Sequence, residues 1–309
     1  MRGLSILRRR DEDGAIVVLM AAFSVVMVGM AALVVDVGAI LDEKRQLQNG
    51  ADAGALAVAH SCALGLCDAD QAGALADSNS RDADSAASVS YPTARRVRVD
   101  TTTSGGGTSI LPYTFGRALT GVEGKTVHAS ATASWGPAGR ATVIRLAISQ
   151  CDVERLGIST VESTISFHTT STACDGSSGD DSPGAFGWLD PDGTGNPCEL
   201  TVTAGGTAGV DPGASGPVAC LAPYLNKDIL LPVFDDVIGV TGTGTNASYT
   251  VKGFAMFRMT GYRFGARNSV PAPCSGSTDC IRGYFIRYLT TSDVIGGTDF
   301  GVSTVRLVS

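Results

Sequence analysis

The sequence has few of the residues that would point to nucleic-acid binding or to a zinc site. Its 309 residues include 23 Lys and Arg against 30 Asp and Glu, a net charge of -7. There is therefore no basic surplus to hold a phosphate backbone. Histidine occurs three times, at His60, His128 and His168, and no Cys-x-x-Cys pair is present, so the ligand spacing of a structural zinc site is missing. We expect no nucleic-acid partner, no cofactor and no metal.

Sequence signatures of enzymes are also incomplete. The segment at residues 121–126 resembles the end of a phosphate-binding loop, but Leu119 stands where that motif needs its first glycine. No Gly-x-Ser-x-Gly turn marks a serine nucleophile. Residues 190–196 alternate oxygen-bearing side chains with glycine as calcium loops do, yet the loop lacks the glutamate at its twelfth position. A plain turn is the preferred interpretation and calcium binding stays open. We predict that the protein is not an enzyme, and the sequence identifies no small-molecule substrate.

Proline is absent before Pro92, so no proline interrupts a long N-terminal helix. Residues 15–35 carry no charge, and about 20 helical residues cross a hydrocarbon core of about 30 Å. A cleaved signal peptide is the alternative, but its apolar part usually spans about 7 to 15 residues. The arginines that precede the segment favour a cytoplasmic N-terminus and an extracytoplasmic or cell-surface remainder; they are Arg2, Arg8, Arg9 and Arg10. We predict a cytoplasmic arm over residues 1–13 and a transmembrane and amphipathic helix over 14–62.

The second half of this helix carries an apolar stripe of small residues. We predict a helix interaction face made of Asp36, Leu47, Ala51, Ala55 and Val58. Two occupants are possible, a neighbouring helix of another component or the chain's own downstream domain. Gly50 and Gly54 each cost about 1 kcal/mol of helix propensity, which favours a partner that approaches closely. Asp36 is either a boundary residue or a polar contact to a partner's helix end.

Several short motifs in this helix occur together in one known family. They are Gly14-Ala15 at the start of the apolar run, Val35-Asp36-Val37-Gly38, Leu47-Gln48-Asn49 and Ala51-Asp52-Ala53. The segment resembles the N-terminus of the TadE/TadG-like proteins of the bacterial Flp/Tad pilus assembly system. The resemblance implies an assembly role, with the membrane and other helical pilus or secretion components as partners. Processed pilins of that system have Glu at the fifth position after the cleavage glycine, where this chain has Leu19, so we expect the first 14 residues to be retained.

After the helix, the hydrophobic pattern changes. Within residues 68–87 a short helix is expected that ends at about Ser78 and is followed by a polar linker. Period-two alternation then predicts strands near residues 97–99, 127–135, 143–148, 164–169, 200–203, 249–262, 282–290 and 302–308. We predict an α+β fold in which one long N-terminal helix precedes a mostly antiparallel, disulfide-stapled β domain. Residues 63–140 would form a small helix plus strands in a pilin-like region, and 141–309 a β-rich region.

Eight cysteines lie downstream of the apolar segment, and an oxidising compartment would preserve them as disulfides. They are Cys62, Cys67, Cys151, Cys174, Cys198, Cys220, Cys274 and Cys280. Closeness in sequence favours the pairs Cys62 with Cys67 and Cys274 with Cys280. Sequential pairing of the central four is a guess, because eight cysteines allow 105 connectivities.

These features predict a membrane-anchored, pilin-like assembly or accessory component of a Tad-type pilus or secretion apparatus, with a displayed β domain. The alternative is a membrane-tethered binding module or adhesin outside any filament. A cell-envelope hydrolase is a third possibility, which would need His128 or His168 beside an acid and a nucleophile.

Overall fold

The computed structural model describes residues 9–83, 85–104, 110–167, 187–190, 196–210, 217–234, 240–241, 247–276 and 278–308. Helix α1 runs from Arg9 to Ala63, so the predicted long helix is confirmed. A turn closed by the disulfide Cys62–Cys67 follows, in which the Asp68 amide donates to the Ser61 hydroxyl at 2.8 Å. Helix α2, Gln71–Asn79, then packs against α1.

The first sheet has five strands in the order β1-β2-β5-β18-β16. All neighbours are antiparallel except β16 and β18, which are parallel. The strands are β1 Ser85–Thr93, β2 Arg96–Thr103, β5 His128–Pro137, β16 Tyr288–Leu289 and β18 Val302–Val308. Strands from both sides of residue 140 therefore build this sheet, since β16 and β18 follow that residue and the other three precede it.

A separate excursion connects β2 to β5. It contains β3 Leu111–Pro112, the one-turn helix α3 Gly116–Thr120, and β4 Gly124–Lys125, and β3 pairs with β4. We call residues 110–125 the excursion. Its first described residue follows the gap at 105–109, and it returns to the sheet through Val127, which is buried.

The second sheet is larger and centres on β13, Ser248–Phe264, which pairs with β11 on one side and β15 on the other. Its main path is β7-β11-β13-β15-β8, and the short strands β10, β12, β14 and β17 also pair with β13. The remaining elements are β6 Arg140–Ile144, β7 Ile148–Ser149, α4 Gln150–Leu156, β8 Ser163–Phe167, β9 Glu199–Thr203, β10 Thr207–Gly209, β11 Lys227–Phe234, β12 Val240–Thr241, β14 Arg267–Asn268, β15 Asp279–Ile286 and β17 Thr298–Asp299. Two short 3-10 helices, Val218–Cys220 and Ala222–Tyr224, precede β11. The predicted mostly antiparallel β domain is confirmed.

Strand β13 separates two hydrophobic cores. Ala255, Phe257 and Met259 belong to one core, whereas Phe254 and Met256 belong to the other. Alternate residues of a strand point to opposite faces, so both faces of this strand are covered. The second sheet therefore has its own interior, distinct from the contact between α1 and the first sheet.

Disulfides staple both parts of the fold. The structure pairs Cys62 with Cys67, Cys198 with Cys220, and Cys274 with Cys280. Cys151 is also disulfide-bonded, while Cys174 lies outside the described residues. Within the described part of the chain there is no free cysteine.

Candidate membrane and assembly surface

Apart from its contact with α3, the first half of α1 lies away from the rest of the fold. Between Ile16 and Val35 its large apolar side chains are 48% to 74% exposed. Monomeric soluble proteins rarely present an apolar surface of this extent. Among the described helices, α1 is the one long and apolar enough to cross a membrane.

The second half of α1 packs on the chain's own first sheet. Leu47 is 2% exposed, and Ala51, Ala55 and Val58 are fully buried. The last three lie in one cluster with Val97, Val99, Ala131, Ala133 and Trp135. Of the two occupants considered for the stripe, the chain's own domain covers these four residues. The prediction that a neighbouring helix covers them is wrong for the folded chain, because the inward side chains of the sheet already fill that face.

The close approach indicated by Gly50 and Gly54 is made by α2. A Cβ atom added at Gly50 would lie 3.0 Å from the Ala76 Cα, and one at Gly54 would lie 3.3 Å from the Ala72 Cα. Ala72 and Ala76 are themselves buried. The small residues therefore allow two helices of the same chain to pack closely, and they do not mark a contact to another molecule.

Asp36 holds the excursion at the point where the exposed half of α1 ends. Its carboxylate accepts backbone N–H groups from Thr114 at 2.8 Å, from Phe115 at 3.2 and 3.3 Å, and from Gly116. The side chain is buried, so the three donors replace the water it would otherwise bind. Asp36 does contact a helix end, as one interpretation proposed, but the end belongs to α3 of the same chain.

A polar cluster joins α1 to the loop before β1. Asp42 forms an ion pair with Arg81 at 2.8 Å, and the Arg81 amide donates to the Gln46 side chain at 2.8 Å. Beside them Glu43 is buried and bonded to Thr103. Burial raises the pKa of Glu43, the negative charges of Asp82 and Asp42 raise it further, and the Thr103 hydrogen bond opposes the shift.

The comparisons with known proteins concern this helix. Residues 14–61 match the Tad family model, which is described as putative Flp pilus-assembly TadE/G-like. Helix α1 resembles this family over those residues. No curated protein and no solved structure is detectably similar to the chain. The match therefore suggests a Flp/Tad pilus-associated role. It does not include any strand of the sheets.

The match covers both halves of the TadE/G-like helix. The residues of the predicted helix interaction face do not all lie in one place. The structure brings Leu47, Ala51, Ala55 and Val58 together in contact with the first sheet, while Asp36 lies apart at the excursion. Sequence patterns did not reveal the excursion, because its apolar residues show no helical or strand period.

The described residues, in the TadE/G-like helix and elsewhere, hold no group of three His, Cys, Asp or Glu side chains that could bind a metal. His128 lies exposed on β5. His60 is exposed and lines an open groove of about 460 Å³ that also contains Ser292 and Asp293. His168 lies outside the described residues, as do residues 191–195 of the loop that resembles a calcium site, so neither prediction is tested.

Proposed function

We propose that the protein is a membrane-anchored, pilin-like assembly or accessory component of a Tad-type pilus or secretion apparatus. The observation that carries the proposal is the division of the TadE/G-like helix into two halves. The first half exposes its apolar side chains, and the second half packs on the first sheet. A rigid connection of this kind fixes the β domain relative to whatever surrounds the exposed half.

The orientation that we propose is cytoplasmic for the N-terminus and extracytoplasmic for both sheets. The arginines before the apolar segment favour this arrangement, because clustered positive charge stays on the cytoplasmic side. The disulfides of the folded part support it, since cytosolic proteins are normally kept reduced.

The face of α1 opposite Asp36 is the proposed contact with other helical components. A rotation of about 100° per residue places Met27, Met30 and Val34 on this face, and these side chains are 52%, 63% and 68% exposed. Asp36 and the excursion occupy the other side. A neighbouring helix would therefore meet an unobstructed apolar surface.

Site-specific photocrosslinking in cells that make the whole apparatus tests this proposal. A photoreactive amino acid at Met30 or Val34 should yield adducts with small membrane proteins of the apparatus. The same group at Leu66, which is 77% exposed beyond the end of α1, is the control and should not form those adducts. Membrane retention without adducts would favour the tethered adhesin, and recovery of the intact chain as a soluble protein would refute the anchor.

A further inference from the structure

The excursion contacts α1 within its apolar segment. Two open grooves run along the line where α3 meets α1. The first, of about 420 Å³, lies between Phe115 and Ala118 of the excursion and Val28 and Ala32 of α1. The second, of about 280 Å³, lies between Gly116 of the excursion and Asp36 of α1. The excursion thus extends past Asp36 toward the N-terminus of the helix.

The tip of the excursion combines exposed apolar groups with a charged rim. Phe115 is 47% exposed and Val122 is 50% exposed, and Ala118 is exposed between them in sequence. Arg117 and Glu123 form an ion pair at 3.2 Å with both side chains about two-thirds exposed. Aromatic and apolar side chains beside exposed charges are typical of the boundary between lipid and water.

The depth of the tip follows from the length of the helix. A span of about 20 residues that begins at Gly14 ends near Leu33. At 1.5 Å per residue, Val28 lies roughly 8 Å inside that end and Ala32 lies close to it. Because Phe115 and Ala118 share a groove with these residues, they would sit at the outer edge of the hydrocarbon.

We propose that the excursion inserts Phe115, Ala118 and Val122 into the outer leaflet, and that lipid acyl chains fill the two grooves beside α1. This inference rests on the membrane anchor proposed above. Acyl chains are the occupant because the first groove is lined by uncharged residues that continue the apolar surface of the helix. In the second groove the charged residue is Asp36, whose carboxylate already accepts three backbone N–H groups. Asp36 sets the depth of the excursion by holding the backbone of residues 114–116.

The bond to Asp36 also explains why the excursion can approach lipid. Backbone N–H groups that face hydrocarbon without a partner are costly. The carboxylate accepts the N–H groups of Thr114, Phe115 and Gly116, which lead into α3, so these three donors do not face lipid without a partner.

Depth-dependent fluorescence quenching tests the proposal on the full chain reconstituted at low protein density in phosphatidylcholine vesicles. Three variants each add one tryptophan: Phe115→Trp at the tip, Phe23→Trp within the helix, and Leu66→Trp beyond its far end. The native Trp135 and Trp188 are buried, so the wild-type signal serves as the baseline. Brominated lipids should quench the added emission of Phe115→Trp and Phe23→Trp, with bromine near the headgroup more effective for Phe115→Trp. Leu66→Trp should be quenched by aqueous iodide alone.

Each outcome decides between distinct claims. Failure of brominated lipid to quench Phe23→Trp would refute the anchor itself. Quenching of Phe23→Trp combined with iodide quenching of Phe115→Trp would overturn the insertion and leave the anchor intact. Protection of Phe115→Trp from both quenchers would show that protein covers the tip, which also overturns lipid as the occupant.

A second pair of variants tests the role of Asp36. Adding Asp36→Ala to Phe115→Trp should reduce lipid quenching at the tip, whereas adding it to Phe23→Trp should leave quenching unchanged. Unchanged quenching of both would show that Asp36 does not set the depth of the excursion.

Discussion

The contact between α1 and the first sheet is open to a direct test with the paired substitutions Ala51→Gln and Ala55→Gln. Both alanines are fully buried in the cluster that contains Trp135. Since the chain's own sheet covers them, the double variant should lose the folded membrane-proximal part, and loss of co-purification with other components should follow from that unfolding.

The magnitude follows from what each glutamine would bring into the interface. An amide left without hydrogen-bond partners in an apolar core costs about 1 to 3 kcal/mol, and the added volume costs about 1 to 3 kcal/mol more. Two such changes lower the free energy of unfolding by roughly 4 kcal/mol or more, against a typical total of about 5 to 15 kcal/mol. For a chain of this size the midpoint of thermal unfolding should fall by roughly 8 °C or more.

Thermal unfolding in detergent, followed by the emission of Trp135, measures the effect. Trp135 lies in the affected cluster, and its contribution can be isolated by comparing each protein with its Trp135→Phe counterpart. Leu56→Gln is the matched control, because Leu56 is 36% exposed on the same helix. A double variant that unfolds at the wild-type temperature with unchanged Trp135 emission would refute the assignment of the stripe to the chain's own sheet.

Three further predictions concern single contacts. Burial raises the pKa of Glu43 in the folded protein above its ordinary value of 4.5. The stability that the protonated side chain contributes is therefore present below pH 4.5 and is lost as the pH rises through the higher folded pKa. Glu43→Gln should remove this loss, and urea midpoints that differ from wild type by the same amount at low and neutral pH would contradict it. Gly50→Ala should destabilise the contact with α2, where the new Cβ meets backbone at 3.0 Å, while Gly38→Ala, which meets nothing within 4 Å, should stabilise the helix by up to about 1 kcal/mol; thermal midpoints ranked the other way would refute the packing argument. Replacing Cys198 and Cys220 by alanine opens a loop with a sequence separation of 22 and should cost about 3 kcal/mol in urea unfolding, and an unchanged midpoint would count against the staple.

The long helix could be predicted because its evidence is local. An uncharged segment, an apolar stripe and the absence of proline before residue 92 all act within a few turns of the same helix. The strands near residues 127–135 and 249–262 were predictable for the same reason, since alternation is visible in the sequence itself. The structure has β5 at His128–Pro137 and β13 at Ser248–Phe264.

Strand β11 was missed because Pro232 interrupts its pattern. Proline cannot donate to a sheet ladder and is usually confined to edge strands, to the first residue of a strand or to bulges. The structure accommodates it because β7 pairs with β11 only from Val233 onward, so that side of Pro232 needs no donor to β7. The start of strand β1 falls in the predicted polar linker, because the segment up to Ala87 is rich in Ala, Asp and Ser and shows no clear strand pattern.

The occupants of the candidate surface depend on contacts between residues far apart in sequence. A stripe of alanines suits a neighbouring helix and a sheet equally well, and the choice is made by residues such as Val97 and Ala131. Asp36 meets backbone groups about 80 residues away. Those donors are backbone N–H groups, which almost every residue has, so the pattern of side chains in the sequence does not identify them.

The position of β18 has a consequence for how the protein is made. This strand lies between β5 and β16, and its Val305 packs against the cluster under α1. A ribosome synthesises α1, β2 and β5 before the strands of the second sheet, and β18 only after them. Until β18 is made, the side of β5 that pairs with it is an open sheet edge. A chain that stalled before β18 would therefore present unpaired backbone groups of β5 to chaperones, proteases or neighbouring chains, close to the helix that we place in the membrane.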